Sequence, residues 1–259
     1  MRLSVSGLPD EQLMAIKVAA IICAAGASSR FGGARKKPFV DVDGRAAFLR
    51  SVELFADHDD VKQVILSISP DDEELVRVKY GANLAFHGVK ICLGGKERFE
   101  TVENAIKLVR DDIDIIAVHD AVRCCLTKEW LDAVIKTAVK TEAAMLAAPV
   151  VATLKKVENG IIVGTVDRSN LYEAQTPQVF GAALLKKAYA NLPNLDKSKI
   201  SDDSQLVEAL GHKVAIVETD QSNIKITHKN DVAIAEAIIK SRPKPKPTGP
   251  VGPYIEAQW

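Results

Sequence analysis

Five cationic side chains, Arg30, Lys37, Arg123, Arg168 and Lys225, lie in five separate segments of the chain. A reaction that joins two phosphate-bearing molecules needs about that much fixed positive charge, because the reactants repel each other. Arg30 and Lys37 flank a glycine-rich stretch, AAGASSRFGG, that begins at Ala24, Ala25 and Gly26. Small residues let backbone N–H groups approach phosphate oxygens, and Arg30, Lys36 and Lys37 add charge. The pattern is neither GxxxxGK[ST] nor GxGxxG, so the local alternative is a flexible loop with solvated basic residues.

Four further segments carry polar residues of the right kind. Gly94-Gly95-Lys96-Glu97-Arg98, with Thr101 opening a helix, permits close approach of a flat ring. Free N–H groups at the helix start would add donors. His119-Asp120-Ala121-Val122-Arg123 offers a carboxylate for a ribose hydroxyl or Mg²⁺, and a guanidinium for phosphate. A surface ion pair is the plain alternative, and His119 reads as structural. Thr165-Val166-Asp167-Arg168 leads to Gln175-Thr176-Pro177-Gln178, and Asn223-Ile224-Lys225-Ile226-Thr227 follows later. Alone, Arg168 reads as a hairpin-end charge and Lys225 as an edge-strand lysine.

These segments require a scaffold. Apolar runs at residues 19–24, 64–68, 89–93, 113–118 and 145–150 read as strands. Between them, Phe48, Val52 and Phe55 share one helical face, as do Val102, Ala105, Ile106 and Val109. Residues 71–79 and 130–140 also read as helical, with Pro70 suited to a first turn. The alternation predicts an α/β fold, a three-layer, Rossmann-like, mostly parallel sheet, with ligands bound beyond the strands' carboxyl ends. Residues 154–157 and 161–166 break the pattern as a hairpin around Asn159-Gly160. It is expected to project as an arm, either a surface hairpin or an exchanged dimerisation element.

Composition narrows the class. Lys and Arg number 34 and Asp and Glu 34, so no basic excess points to nucleic acid. The apolar run over residues 18–27 is shorter than the roughly 18–20 residues that span a bilayer, and reads as a buried strand rather than a secretion signal. Cys23, Cys92, Cys124 and Cys125 form no CxxC, which suits a reducing cytoplasm better than disulfides or zinc. The expected organisation is an N-terminal extension at 1–17, one domain over 18–240 with the arm at about 150–174, and a mobile proline-rich tail at 241–259.

The ordered set AAGASSRFGGARKKPF, GGKERFETV, HDAVR, TVDR, QTPQVF, SDDSQLVE and SNIKIT resembles the 2-C-methyl-D-erythritol 4-phosphate cytidylyltransferase family across residues 18–240. The resemblance implies a Rossmann-like nucleotidyltransferase fold, a homodimer with exchanged arms, Mg²⁺, and transfer of CMP from CTP to the polyol phosphate. It implies that Ala24, Ala25, Gly26, Gly94 and Thr101 line the CTP site. Arg30 and Lys37 would stabilise the transition state, with Lys36 as the alternative to Lys37. Asp120, also a candidate metal ligand, and Arg123 would sit between nucleotide and sugar phosphate. Arg168 and Lys225 would position the polyol phosphate beside Thr153 and Thr176, with Thr153 and Arg168 acting across the dimer. Two other readings remain at this point: a cytidylyltransferase for ribitol 5-phosphate or another pentitol phosphate, and a non-catalytic nucleotide-binding scaffold.

Overall fold

The apolar run after Lys17 forms β1 (Val18–Cys23), which is buried on both faces. The computed structural model describes residues 16–26, 31–32 and 36–243; the expectations for Arg30, for most of the N-terminal extension and for most of the tail lie outside these residues. Val18, Ala20 and Ile22 face one apolar layer, and Ala19 and Ile21 face the other. That two-sided burial is what a central parallel strand requires.

Around β1 the chain builds a seven-stranded sheet. A small hairpin, β2 (Asp41–Val42) and β3 (Arg45–Ala46), leads into α1 (Ala47–Ala56), and then come β4 (Val61–Ile68), α2 (Glu73–Phe86) and β5 (Lys90–Leu93). Next follow α3 (Arg98–Ile106), β6 (Ile115–Asp120), α4 (Lys128–Thr141) and β7 (Ala143–Pro149). The arm is β8 (Leu154–Glu158) and β9 (Ile161–Val166), and the chain returns through β10 (Tyr172–Gly181). It closes with α5 (Ala182–Ala190), α6 (Asp203–Glu208), β11 (Ala215–Glu218) and α7 (Asn230–Ser241). The spatial order is β11-β7-β10-β6-β1-β4-β5. From β1 the chain first builds outward to β4 and β5, then crosses back through α3 to place β6 on β1's other side. This reversal opens a crevice beyond the carboxyl ends of β1 and β6.

The periodicity reading holds for the five strands and for the helical faces. Phe48, Val52 and Phe55 pack in the layer shared by α1, α2 and α4, and Val102, Ala105 and Ile106 pack in the opposite layer. Four of the sheet's neighbouring pairs are parallel. Both pairs made by β10 are antiparallel. The sequence reading did not assign β10 as a strand, because Pro177 lies inside it and lacks a ladder donor. The ladder with β7 is interrupted between Ala174 and Gln178, which accommodates the proline. Element boundaries shift by a few residues, and α2 runs on to Phe86. Pro70 opens a separate 3-10 turn, Pro70–Asp72, and His119 and Asp120 are the last residues of β6 rather than a segment beyond it.

Among the described residues the two arm strands pair only with each other. Asn159 and Gly160 both adopt positive φ, 51° and 80°, so the turn has two residues and Glu158 joins its strand. Val157, Ile161, Ile162, Val163 and Val166 are exposed on it.

Lys37 starts a 3-10 turn, Lys37–Phe39, whose anchor is aromatic. The Phe39 ring lies 5.6 Å from Phe48 and 6.1 Å from Tyr80, and Phe48 is 4.9 Å edge-on to Tyr80. Phe39 is buried. Phe39→Ala is expected to lower unfolding stability by about 3–5 kcal/mol, measured by urea titration.

Candidate active site

A cleft of about 210 Å³ occupies the crevice between β1 and β6. Its floor is Cys23, Ala24, Ala25 and Gly26, where β1 runs out. Lys37 and Pro38 form one wall, Gly95 to Arg98 with Thr101 another, and Asp120, Val122 and Lys225 a third. Residues more than a hundred positions apart in sequence thus meet at one opening.

The glycines are required by space. A Cβ on Gly94 would overlap that of Ala25 and come within 2.9 Å of Thr101 Oγ1. Gly94 is therefore the close-approach point between the β1 loop and α3, while Gly95 lines the cleft itself. The structure starts α3 at Arg98, three residues before Thr101, with a capping box between Glu97 and Glu100. Thr101 Oγ1 accepts from the Gly95 N–H at 3.1 Å and so tightens the turn. Gly94→Ala is expected to push the two walls apart and raise KM for the nucleotide about tenfold with the fold retained; steady-state kinetics and circular dichroism check this.

Asp120 is the electrostatic centre. Its carboxylate lies 2.6 Å from Lys225 Nζ, 3.4 Å from Arg98 Nε and 3.8 Å from Arg123 Nε. Burial alone would raise its pKa, but Arg98, Lys225 and Arg123 outweigh burial and hold it well below the usual carboxylate range. Asp120 is therefore ionised at any working pH. His119 is fully buried, and burial pushes its pKa down to about 3, so the imidazole stays neutral. Burial also pushes the Cys23 thiol up to about 12, which leaves it un-ionised. Neither group can exchange a proton near pH 7.

The other expected residues divide clearly. Thr176 is buried, accepts from the Asp120 N–H at 3.0 Å and meets His119 Nδ1 at 3.0 Å, so it supports Asp120 from behind. Arg123 donates to the carbonyls of Asn223 at 2.7 Å and Ala174 at 3.3 Å. In this arrangement it fastens the Lys225 loop to β10. Asn223 reinforces that link through Gln175 at 2.8 Å. Lys36 turns away to Asp72 at 3.0 Å, whereas Lys37 lines the cleft. Thr153 and Arg168 stand exposed at the arm's base, outside the cleft of their own chain, with Arg168 donating to the Val151 carbonyl.

The site assignment left out Cys23, Pro38, Gly95, Lys96, Glu97, Arg98 and Val122, and among these Arg98 matters most. Arg98 stands in GGKER beside the glycines, yet nothing in the local pattern marks it above Lys96. Its importance comes from Asp120 and Asp203, the latter 105 positions away.

The family model for IspD, 2-C-methyl-D-erythritol 4-phosphate cytidylyltransferase, matches residues 18–241. The chain belongs to this family. A protein of Endomicrobium trichonymphae named 2-C-methyl-D-erythritol 4-phosphate cytidylyltransferase is 44% identical over 227 residues, covering 87% of this chain and all of that one. A relative of the same name from Rhodopirellula baltica is 37% identical, covering 87% and 96%. The crystal structure of the Thermus thermophilus protein of that name superposes with a TM-score of 0.72 at 30% identity, over 87% of this chain and all of its own. Membership of this cytidylyltransferase family makes the chain a nucleotidyltransferase with an α/β fold, as the sequence motifs implied. No helix among the described residues is long and apolar enough to cross a membrane.

Proposed function

We propose that the cleft transfers CMP from CTP to 2-C-methyl-D-erythritol 4-phosphate and releases pyrophosphate, in isoprenoid precursor synthesis in the cytoplasm. The observation that carries this reading is the convergence of Lys37, Arg98 and Lys225 on a glycine-lined floor at the sheet's switch point. In this reading Ala24 to Gly26, Gly94 and Thr101 shape the nucleotide site. Lys37 faces the triphosphate and Lys225 faces the incoming phosphate, while the transition-state role expected of Arg30 rests on the sequence alone.

The chemistry suits these groups. The nucleophile is a phosphate monoester oxygen with a second pKa of about 6, already ionised at neutral pH. No general base is needed, which agrees with a neutral His119 and an un-ionised Cys23. The chain's task is to seat two polyanions and to stabilise charge gathering at the α-phosphorus.

Asp120 fits poorly as a ligand of a resident Mg²⁺, since three cations already face its carboxylate. Among the described residues no group of three or more His, Cys, Asp or Glu side chains is placed to hold a metal ion. Mg²⁺ would then enter with the triphosphate as its counter-ion and would supply charge neutralisation there.

Arg168 and Thr153 do not line their own chain's cleft, so in this reading they serve the cleft of another subunit. The arm's exposed apolar residues, Val157, Ile161, Ile162, Val163 and Val166, which lie on both faces of the hairpin, support a homodimer with exchanged arms. The ribitol phosphate reading gains no support from the relatives named above. Pyrophosphate release is expected to require CTP, methylerythritol phosphate and Mg²⁺ together. Release without the polyol phosphate, or undiminished in EDTA, would contradict the reading.

A further inference from the structure

Two carboxylates are buried beside the cleft, Asp120 at the end of β6 and Asp203 at the start of α6, at 7% and 0% exposure. Buried carboxylates need ionic and hydrogen-bonding partners. Arg98 is the bridge between them: Nη1 lies 2.7 Å from Asp203 Oδ2, and Nε lies 3.4 Å from Asp120 Oδ1. The Asp203 end of this bridge is rigid. Its Oδ1 accepts from the Tyr189 hydroxyl at 2.5 Å, and its N–H donates to Gln178 Oε1 at 3.0 Å. Gln178 also donates to Asp202 Oδ2 at 2.8 Å, and Asp202 caps α6. Since Gln178 belongs to β10, which pairs with β6, the brace returns to the strand that carries Asp120.

The Asp120 end is different. Oδ1 faces Arg98, and Oδ2 faces Lys225 at 2.6 Å. Holding Oδ1 sets the plane of the carboxylate and so the direction in which Oδ2 presents Lys225. Without Arg98, the carboxylate is free to turn towards Arg123, now 3.8 Å away, and to draw Lys225 with it. Arg98 Nη2 is buried without a hydrogen-bond partner among the described residues. An unsatisfied buried donor costs stability, so folding alone is a poor account of an arginine at this position.

We infer that Arg98, braced by Asp203 and Tyr189, is a positioning residue that fixes the Asp120 carboxylate and through it aims Lys225 into the cleft. The inference rests on the cytidylyl-transfer reading and deepens it. It makes Arg98 act through Lys225, not on the nucleotide.

The test is kinetic, on the full chain with CTP, methylerythritol phosphate and Mg²⁺. Arg98→Lys keeps a charge but cannot span both carboxylates. It is expected to lower kcat about tenfold or more while KM for CTP stays within about twofold. Tyr189→Phe, which loosens the brace and keeps the volume, is expected to move kcat in the same direction by less. On a Lys225→Ala background, Arg98→Lys is expected to add less than about twofold, because its effect passes through the missing lysine. An unchanged kcat in Arg98→Lys, a KM increase in its place, or a full multiplicative loss on the Lys225→Ala background would each overturn the inference. If Arg98→Lys does not fold, Tyr189→Phe decides by the same criteria. A wild type without turnover defeats the cytidylyl-transfer reading as well, whereas an active wild type with indistinguishable variants defeats this inference alone.

Discussion

Lys37→Ala is expected to lose about 10²–10³ in kcat, while the adjacent Lys36→Ala keeps turnover within a few-fold of wild type. The two side chains leave neighbouring positions but are committed to different tasks. Lys37 opens the 3-10 turn that Phe39 pins against Phe48 and Tyr80, and it lines the cleft. A cation held on a fixed turn needs no reorganisation as charge develops, which is where its rate contribution arises. Lys36 instead pairs with Asp72, whose side chain is 8% exposed. Lys36→Ala leaves that carboxylate with less compensation, and the loss should appear as stability, on the order of 1–2 kcal/mol. Measuring kcat and the urea midpoint for both variants separates the roles. Equal kcat losses in the two would mean that both lysines act on the triphosphate and would contradict this division.

Mixing two inactive variants, Lys37→Ala and Arg168→Ala, is expected to restore activity. Arg168 and Thr153 are exposed at the base of an arm whose strands pair with no other strand among the described residues. If each cleft takes Lys37 from one subunit and Arg168 from the other, a mixed dimer contains one site with both residues intact. Random reassortment makes half the dimers mixed, so about a quarter of wild-type activity should return. Each variant alone should remain at least about a hundredfold down. The experiment requires subunit exchange, by mixing under mild denaturant or by co-expression with different tags. Persistent inactivity of verified mixed dimers would place Arg168 in its own subunit's site or outside catalysis.

Much of this arrangement was legible in the sequence because it is local. Two-sided apolar strands such as Val18–Cys23 and the i, i+4, i+7 face of Phe48, Val52 and Phe55 follow from short-range periodicity. Asn159-Gly160 specified its turn through the positive φ that both residues adopt. The strand β10 was hidden because Pro177 is a poor strand signal, and only a ladder that breaks at that point can admit it. Within the site, the motif residues at strand ends were found, but their division of labour was not. Thr176 supports Asp120 from behind, and Arg123 spends its donors on the carbonyls of Asn223 and Ala174. Arg98 gains its significance from contacts with Asp120 and Asp203, 22 and 105 positions away. Such pairings arise from topology, and no local pattern encodes them.

The central claim is that this cleft joins CMP to methylerythritol phosphate. The most direct test measures kcat/KM with CTP and Mg²⁺ for 2-C-methyl-D-erythritol 4-phosphate and ribitol 5-phosphate side by side, with mass spectrometry of the products. The account predicts stoichiometric pyrophosphate and a 4-diphosphocytidyl-2-C-methyl-D-erythritol product, with methylerythritol phosphate preferred by at least about a hundredfold. Equal or reversed preference, or pyrophosphate accompanied by free CMP alone, would contradict it.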